Sequence, residues 1–278
     1  MIIGIIGLGL IGGSLAKALN KKHSVLGCDI RADVIARAID DNAIEGELKM
    51  SELKSCDMCI IALYPQAAED FLREHSDDFR ESCIVCDCIG VKKEICALGA
   101  ELSRGRGFVF VGGHPMAGRE FSGYGASSGE LFDGASMLLV PVDERGEELR
   151  DTLSEIFCGA GFSSVIFTTA DEHDRIIAFT SQLAHIVSSA YIRSPEATEH
   201  RGFSAGSYKD MTRVAYLNEE MWTQLFLRNP ENLCREIEGL AQRLLQYSEA
   251  IRSGSTERLC SLLRDGRERK IIVDGGTE

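Results

Sequence analysis

Short apolar runs alternate with amphipathic stretches from the first residues to about Thr168, and beyond it the short runs stop. The runs at 2–6, 24–28, 57–63, 83–88, 108–111, 136–142 and 163–167 predict strands. They are continuous rather than alternating, as expected for strands buried on both faces of a parallel sheet. The stretches at 12–21, 31–41, 65–78, 91–101 and 145–160 predict helices between them. Strand and helix in alternation specify a doubly wound α/β sheet, with added edge strands allowed. After Thr168 the periodicity is helical. Thr169-x-x-Glu172 is a capping box, Asn229-Pro230 supplies an N-cap and an N1 proline, and Ser255 opens a further helix. Two domains are therefore expected, 1–167 and an all-α 168–278, with a loose polar tail from Asp265.

Two helical stretches carry more than their periodicity. Ile176, Ile177, Phe179, Leu183, Ile186, Val187 and Tyr191 surround the 172–192 segment, which predicts a buried helix. Asp174, Ser181, His185 and Ser188 nevertheless share one face of it, and a polar stripe on a buried helix must meet partners or a ligand. Leu233, Ile237, Leu240, Leu244, Tyr247 and Ile251 form a heptad seam, either the core of a bundle or a dimer contact.

The first predicted strand leads into Gly7-Leu-Gly9-Leu-Ile-Gly12, then a helix, a second strand and Asp29. That order is the dinucleotide-binding fingerprint of a Rossmann domain. Gly7 allows the tight turn, Gly9 leaves room for a pyrophosphate, and Gly12 lets the helix approach the strand. The helix start at Leu10 and Ile11 offers unpaired N–H groups and partial positive charge to the phosphates. Asp29 stands where a carboxylate takes a ribose 2′-hydroxyl, which favours NAD. Arg31 is a nearby cation and leaves NADP open. Leu63, Tyr64 and Pro65 end the third strand, over the nicotinamide half of such a cofactor.

Composition narrows the partners. A net charge of −13 over 278 residues argues against nucleic acid or an anionic membrane as the main partner. The N-terminal apolar run lacks a basic segment and is broken by glycines, so neither a signal peptide nor a membrane span is expected, and the chain reads as cytoplasmic. Cys56-x-x-Cys59 and Cys83-x-x-Cys86 lie on predicted strands, where residues three apart face opposite ways. They read as buried thiols, and no metal site is expected.

His114 follows a predicted strand in Gly112-Gly113-His114-Pro115-Met116-Ala117-Gly118-Arg119-Glu120, held on a rigid turn at the carboxyl edge of the sheet. A hydride-transfer enzyme wants an imidazole there to accept the proton of an alcohol.

With GLGLIGGSLA (7–16), ALYP (62–65), DCIGVK (87–92), GGHPMAGRE (112–120), DEHDR (171–175), SQLAH (181–185) and KDMTRVA (209–215) with Trp222, the chain resembles the prephenate/arogenate dehydrogenase family of tyrosine biosynthesis. The resemblance implies NAD-dependent oxidative decarboxylation of prephenate to 4-hydroxyphenylpyruvate, or of arogenate to tyrosine. It implies His114 as the catalytic base, Arg213 as the partner of a substrate carboxylate, and His185, with Ser181 on its stripe, near the substrate. A homodimer through the helical domain is likewise implied, as are packing or orienting roles for Asp210 and Trp222.

The chain departs from the family pattern in places. Gly90 stands where many members carry a serine that orients the catalytic histidine, so another group or a water must take that role. Gln182, Ala184 and Lys209 also differ from the common pattern. A β-hydroxyacid or 6-phosphogluconate type would show a lysine and asparagine pair on the 172–192 helix, which has neither. A silent NAD-sensing dimer would not need His114 and Arg213. Between the glycine turn at the start and the helical end, neither a chorismate mutase nor a regulatory module is expected.

Overall fold

A computed structural model describes residues 1–119 and 121–275. Glu120, the last residue of the histidine segment, lies outside them. The chain divides into two compact units, Met1–Pro230 and Glu231–Glu278. The first begins β1 (Ile2–Ile6), α1 (Leu10–Leu19), β2 (Ser24–Cys28), α2 (Ala32–Asp40), β3 (Gly46–Glu47), β4 (Met58–Ile61), α3 (Pro65–His75), β5 (Ile84–Asp87) and α4 (Lys93–Ser103). It continues through β6 (Val109–Pro115), β7 (Ser136–Pro141), α5 (Glu144–Glu148), α6 (Arg150–Gly159) and β8 (Ser164–Phe167). The helices α7 (Ala170–Ile177), α8 (Ala184–Ile192), α9 (Gly206–Thr212) and α10 (Glu219–Leu227) complete it.

The eight strands form one sheet in the order β3-β2-β1-β4-β5-β6-β7-β8. All neighbours are parallel except β6 and β7, which run antiparallel. Successive residues of a strand face opposite layers. Ile3 and Ile5 pack against Leu15, Phe132 and Phe157, while Ile6 joins Leu72, Phe108 and Phe110 on the other face. The same alternation sends Cys83 to one layer and Cys86 to the other, whereas Cys56, which precedes β4, shares the layer of Cys59 and corrects the expectation that this pair faces opposite ways. All ten cysteines are free thiols.

The expected strands all form, with three differences. β3 is two residues long, too short to leave a periodic signal. The segment 145–160 is interrupted at Leu149, which separates α5 from α6. β6 runs four residues further than its apolar run, through Gly112, Gly113, His114 and Pro115. The two glycines read as a turn, yet they serve close approach. A Cβ on Gly112 would lie 2.4 Å from Cys96 Sγ, and one on Gly113 would lie 2.3 Å from Asp87 O. His114 therefore sits in the strand, opposite Leu138 of β7, rather than on a turn after it.

The 172–192 segment is not one regular buried helix. Between α7 and α8 the backbone makes a π-helical turn over Ala178–Leu183. Ile176, Phe179 and Tyr191 are 42, 58 and 47% exposed, whereas Ile177 and Leu183 are buried. A π turn inserts a residue and rotates the helix beyond it, so a face drawn at 100° per residue breaks there. The stripe splits accordingly: Asp174 is buried, Ser181 and His185 line a cleft, and Ser188 is buried away from it. Thr169 caps α7 by accepting from Glu172 N.

The second unit holds the rest of α11 (Pro230–Arg252) and α12 (Thr256–Val273), capped by Ser255, whose hydroxyl accepts from Arg258 N. Tyr247 OH donates to Leu262 O at 3.2 Å. The expected loose tail is instead helical to Val273. Of the heptad seam, Leu233 is buried, while Leu244 and Ile251 are exposed. Among the described residues no helix is long and apolar enough to cross a membrane.

Candidate active site

The carboxyl ends of β1, β2, β4, β5 and β6 open onto a cleft of about 1420 Å³, closed on the far side by the π turn, α8, α10 and the residues after α9. All of it lies in the first unit. At one end is the glycine turn. Gly7 has φ +89°, a conformation favoured for glycine, and its N–H donates to Cys28 O at 2.9 Å. A Cβ on Gly12 would lie 1.9 Å from Gly7 O, so nothing larger than glycine fits there. A Cβ on Gly9 would meet no atom within 4 Å, so the turn is open where a phosphate would approach the start of α1. Asp29 is fixed at the end of β2: its two oxygens accept from Leu8 N (2.9 Å) and Arg31 N (3.0 Å). The Arg31 guanidinium turns to Asp33, with Nη2 to Oδ2 at 2.5 Å.

At the other end is His114. Its Nδ1 lies 3.0 Å from His173 Nε2, and His173 Nδ1 lies 2.7 Å from Asp174 Oδ1. Asp174 also accepts from Lys92 N (2.7 Å) and Lys93 N (3.0 Å) at the start of α4. Below them Lys92, 0% exposed, pairs with the equally buried Asp87 and donates to Gly113 O at 2.7 Å. Asp87 accepts from Gly113 N (3.1 Å) and Ile89 N (2.8 Å). The buried ion pair thus grips both polar groups of the residue before His114. Burial, then His173, then Lys92 hold the His114 imidazole well below its usual pKa. Burial lowers His173 too, against the pull of Asp174. On the cleft side of His114 is Gly90, whose Cβ position lies 3.7 Å from Nε2.

The helical wall brings Ser181, His185, Arg213 and Trp222 to the same cleft. His185 packs on Trp222 with ring centroids 4.0 Å apart and planes tilted by 45°, and its Nδ1 lies 3.2 Å from Val214 O. Gln182 also lines the cleft, with its amide engaged in the wall behind it. It donates to Leu225 O and accepts from Asn229 Nδ2, which also donates to Asp174 O. Arg228 ties this wall to α3 and α4 through Glu69 (3.0 Å) and Glu94 (3.1 Å).

Residues 15–166 match the model of the prephenate dehydrogenase nucleotide-binding domain, and residues 169–265 match that of the prephenate dehydrogenase dimerization domain. The chain belongs to the prephenate dehydrogenase family. It is an oxidoreductase of that family. A prephenate dehydrogenase from Lactococcus lactis is 30% identical over 97% of this chain and 77% of its own length. One from Bacillus subtilis is 28% identical over 82% of this chain and 64% of its own length. A crystal structure of prephenate dehydrogenase from A. aeolicus, in complex with hydroxyphenyl propionate and NAD⁺, aligns over 98% of both chains with a TM-score of 0.81 and 27% identity.

Within this dehydrogenase fold, most of the residues singled out in the sequence meet in one place. Gly7, Gly9, Leu10, Ile11, Asp29, Arg31, Leu63 and Tyr64 line the cofactor end of the cleft, and His114, Ser181, His185 and Arg213 line the other. Gly12 lies behind the turn it permits, and Pro65 is buried at the first position of α3. Sequence reasoning missed the partnership of His173 with His114 and the ion pair of Lys92 with Asp87. His173 stands in the motif DEHDR, and Asp87 and Lys92 stand in DCIGVK. The sheet sets β5 beside β6 and so brings DCIGVK under the histidine, while α7, held to the start of α4 through Asp174, brings DEHDR there.

Proposed function

We propose that this chain catalyses the NAD-dependent oxidative decarboxylation of prephenate to 4-hydroxyphenylpyruvate. The observation that carries the reading is one cleft holding a glycine turn, an imidazole whose pKa is lowered by desolvation and an arginine. Gly7, Gly9, the start of α1, Asp29, Leu63 and Tyr64 would hold the cofactor, which supplies a hydride acceptor when bound. The open face at Gly9 fits a pyrophosphate, and the pairing of Arg31 with Asp33 favours NAD over NADP.

In this reading the chain has three tasks. His114 accepts the proton of the ring hydroxyl at Nε2, the nitrogen nearer Gly90. A base kept neutral by burial is ready for that step at neutral pH. Arg213 pairs with a substrate carboxylate through its two-donor fork. Ser181, His185 and Trp222 shape the wall against the ring. Carbon dioxide then leaves opposite the hydride, and aromatisation makes the step irreversible.

One observation favours arogenate as a second reading. Val214 O can only accept, so His185 carries its proton on Nδ1, and burial lowers its pKa. The other nitrogen of the neutral ring is an acceptor, suited to an ammonium group. The dimerisation-domain match and the exposed seam residues Leu244 and Ile251 support a homodimer through 168–278. Ten unpaired thiols suit a reducing compartment, and we read the enzyme as cytoplasmic.

The test is reduced-cofactor absorbance with prephenate or arogenate and NAD⁺ or NADP⁺ in all four combinations. We expect turnover with prephenate and NAD⁺. Faster turnover with arogenate would replace the first reading with the second, and silence in all four would overturn both.

A further inference from the structure

We propose that His173 is a positioning residue which, anchored by Asp174, keeps the proton of His114 on Nδ1 and so presents Nε2 to the cleft as a bare base. The inference deepens the functional reading and rests on it for the role of His114. Its structural half stands on the contact geometry of the two rings together with their withdrawal from solvent.

The chain of contacts admits one assignment of protons. Both oxygens of Asp174 receive main-chain N–H groups, from Lys92 and Lys93, so the carboxylate faces His173 as an acceptor. His173 Nδ1, 2.7 Å away, must carry the hydrogen. A neutral imidazole has one N–H, so His173 Nε2 has only its lone pair. Across the 3.0 Å contact the donor is then His114 Nδ1–H. His114 in turn has its lone pair at Nε2, on the side of Gly90. Burial of both rings keeps each to a single proton.

The arrangement also answers the gap at position 90. A glycine there has no side chain to donate to or accept from Nε2. Orientation comes instead from the opposite side of the ring, through two side chains on α7 that are 2% or less exposed. The charged groups facing the two rings are Asp174 from α7 and the Lys92–Asp87 pair from α4 and β5. Asp174 is held by the start of α4, and Lys92 by Gly113 O and Asp87. The anchor of the relay and the grip on the strand therefore share one short segment, 87–93.

Nitrogen-15 NMR of the histidine rings tests this in the intact wild-type protein and in His173→Gln and His173→Leu. In the wild type we expect His114 protonated on Nδ1. Gln can still offer an oxygen to that hydrogen, whereas Leu cannot. We expect His173→Leu to move His114 towards the Nε2–H form, lower kcat by roughly 10- to 100-fold and leave KM for NAD⁺ in place. His173→Gln should recover a larger share of turnover and retain the Nδ1–H form. A wild-type ring protonated on Nε2 overturns the proposal, as does a folded leucine variant with unchanged tautomer and turnover. If the leucine variant does not fold, the wild-type and glutamine spectra decide. If neither prephenate nor arogenate is turned over, the functional reading fails while the ring spectra still judge the positioning claim.

Discussion

The two ends of the cleft are built from different material. The cofactor end is mostly backbone: a glycine turn, the first turn of α1 and one carboxylate held by two main-chain N–H groups, all within residues 7–31. The histidine end is a stack of side chains from three distant segments. Asp87 and Lys92 come from one, His114 from the next, and His173 with Asp174 from a third. A site made of backbone tolerates most side chains but no added Cβ at its tight points. A site made of buried side chains depends on every member, because each polar group left unpaired carries its full desolvation cost.

That contrast orders the expected effects. His114→Asn should lower kcat by about 10²–10⁴-fold while NAD⁺ affinity is unchanged, since it removes a proton acceptor and touches nothing at the glycine turn. A variant with wild-type turnover would remove His114 as the base. Lys92→Met should destabilise the fold by about 3–5 kcal/mol in urea unfolding, because it strands Asp87 as a buried charge. A midpoint close to wild type would mean that the pair does not secure β6. Arg213→Ala should raise KM for prephenate by about 10- to 100-fold, the loss of a charge-assisted pair, with a smaller change in kcat. An unmoved KM would put the carboxylate partner elsewhere. Asp29→Ala should relax the preference for NAD⁺ over NADP⁺ by roughly tenfold, about 1.4 kcal/mol, with prephenate KM unaffected. An unaltered ratio of the two cofactors would place the ribose contact on another residue.

The smallest effect is on pH dependence. His114 and His173 are lowered from 6.5 by burial, so between their folded values and 6.5 the native state binds fewer protons than the unfolded chain. Their contribution to stability is complete above about pH 6.5 and declines as the pH falls below it. Unfolding midpoints should therefore decrease from about pH 7.5 to about pH 5.5, and less steeply in His173→Gln. The acid limb of kcat/KM should lie below 6.5 for the same reason.

The same contrast explains what the sequence disclosed. β1, α1 and β2 follow one another without interruption, and their chemistry is local. Gly7, Gly9, Gly12 and Asp29 could thus be picked out by spacing, and Gly7, Gly9 and Asp29 line one end of the cleft. Most of the other strands and helices were legible from apolar runs and caps. The features that stayed hidden depend on contacts between segments. Gly112 and Gly113 look like a turn until Cys96 and Asp87 are seen pressing on their Cα atoms. Asp174 and His185 look like one stripe until the π turn at Ala178–Leu183 separates them. His173 stands in a recognisable motif, DEHDR, but its role was not legible there, because its partner lies on a strand 59 residues earlier in the chain. The seam of α11, buried at Leu233 and exposed at Leu244 and Ile251, also could not be assigned from periodicity, which is the same for a core and for a dimer contact.

The most direct measurement is a side-by-side assay of wild type and His114→Asn with prephenate and NAD⁺, following NADH formation together with NAD⁺ binding by titration. The account predicts robust turnover by the wild type, a loss of about 10²-fold or more in the variant and equal NAD⁺ affinity in both. Equal turnover in the two proteins, or none in the wild type with NAD⁺ bound, would contradict it.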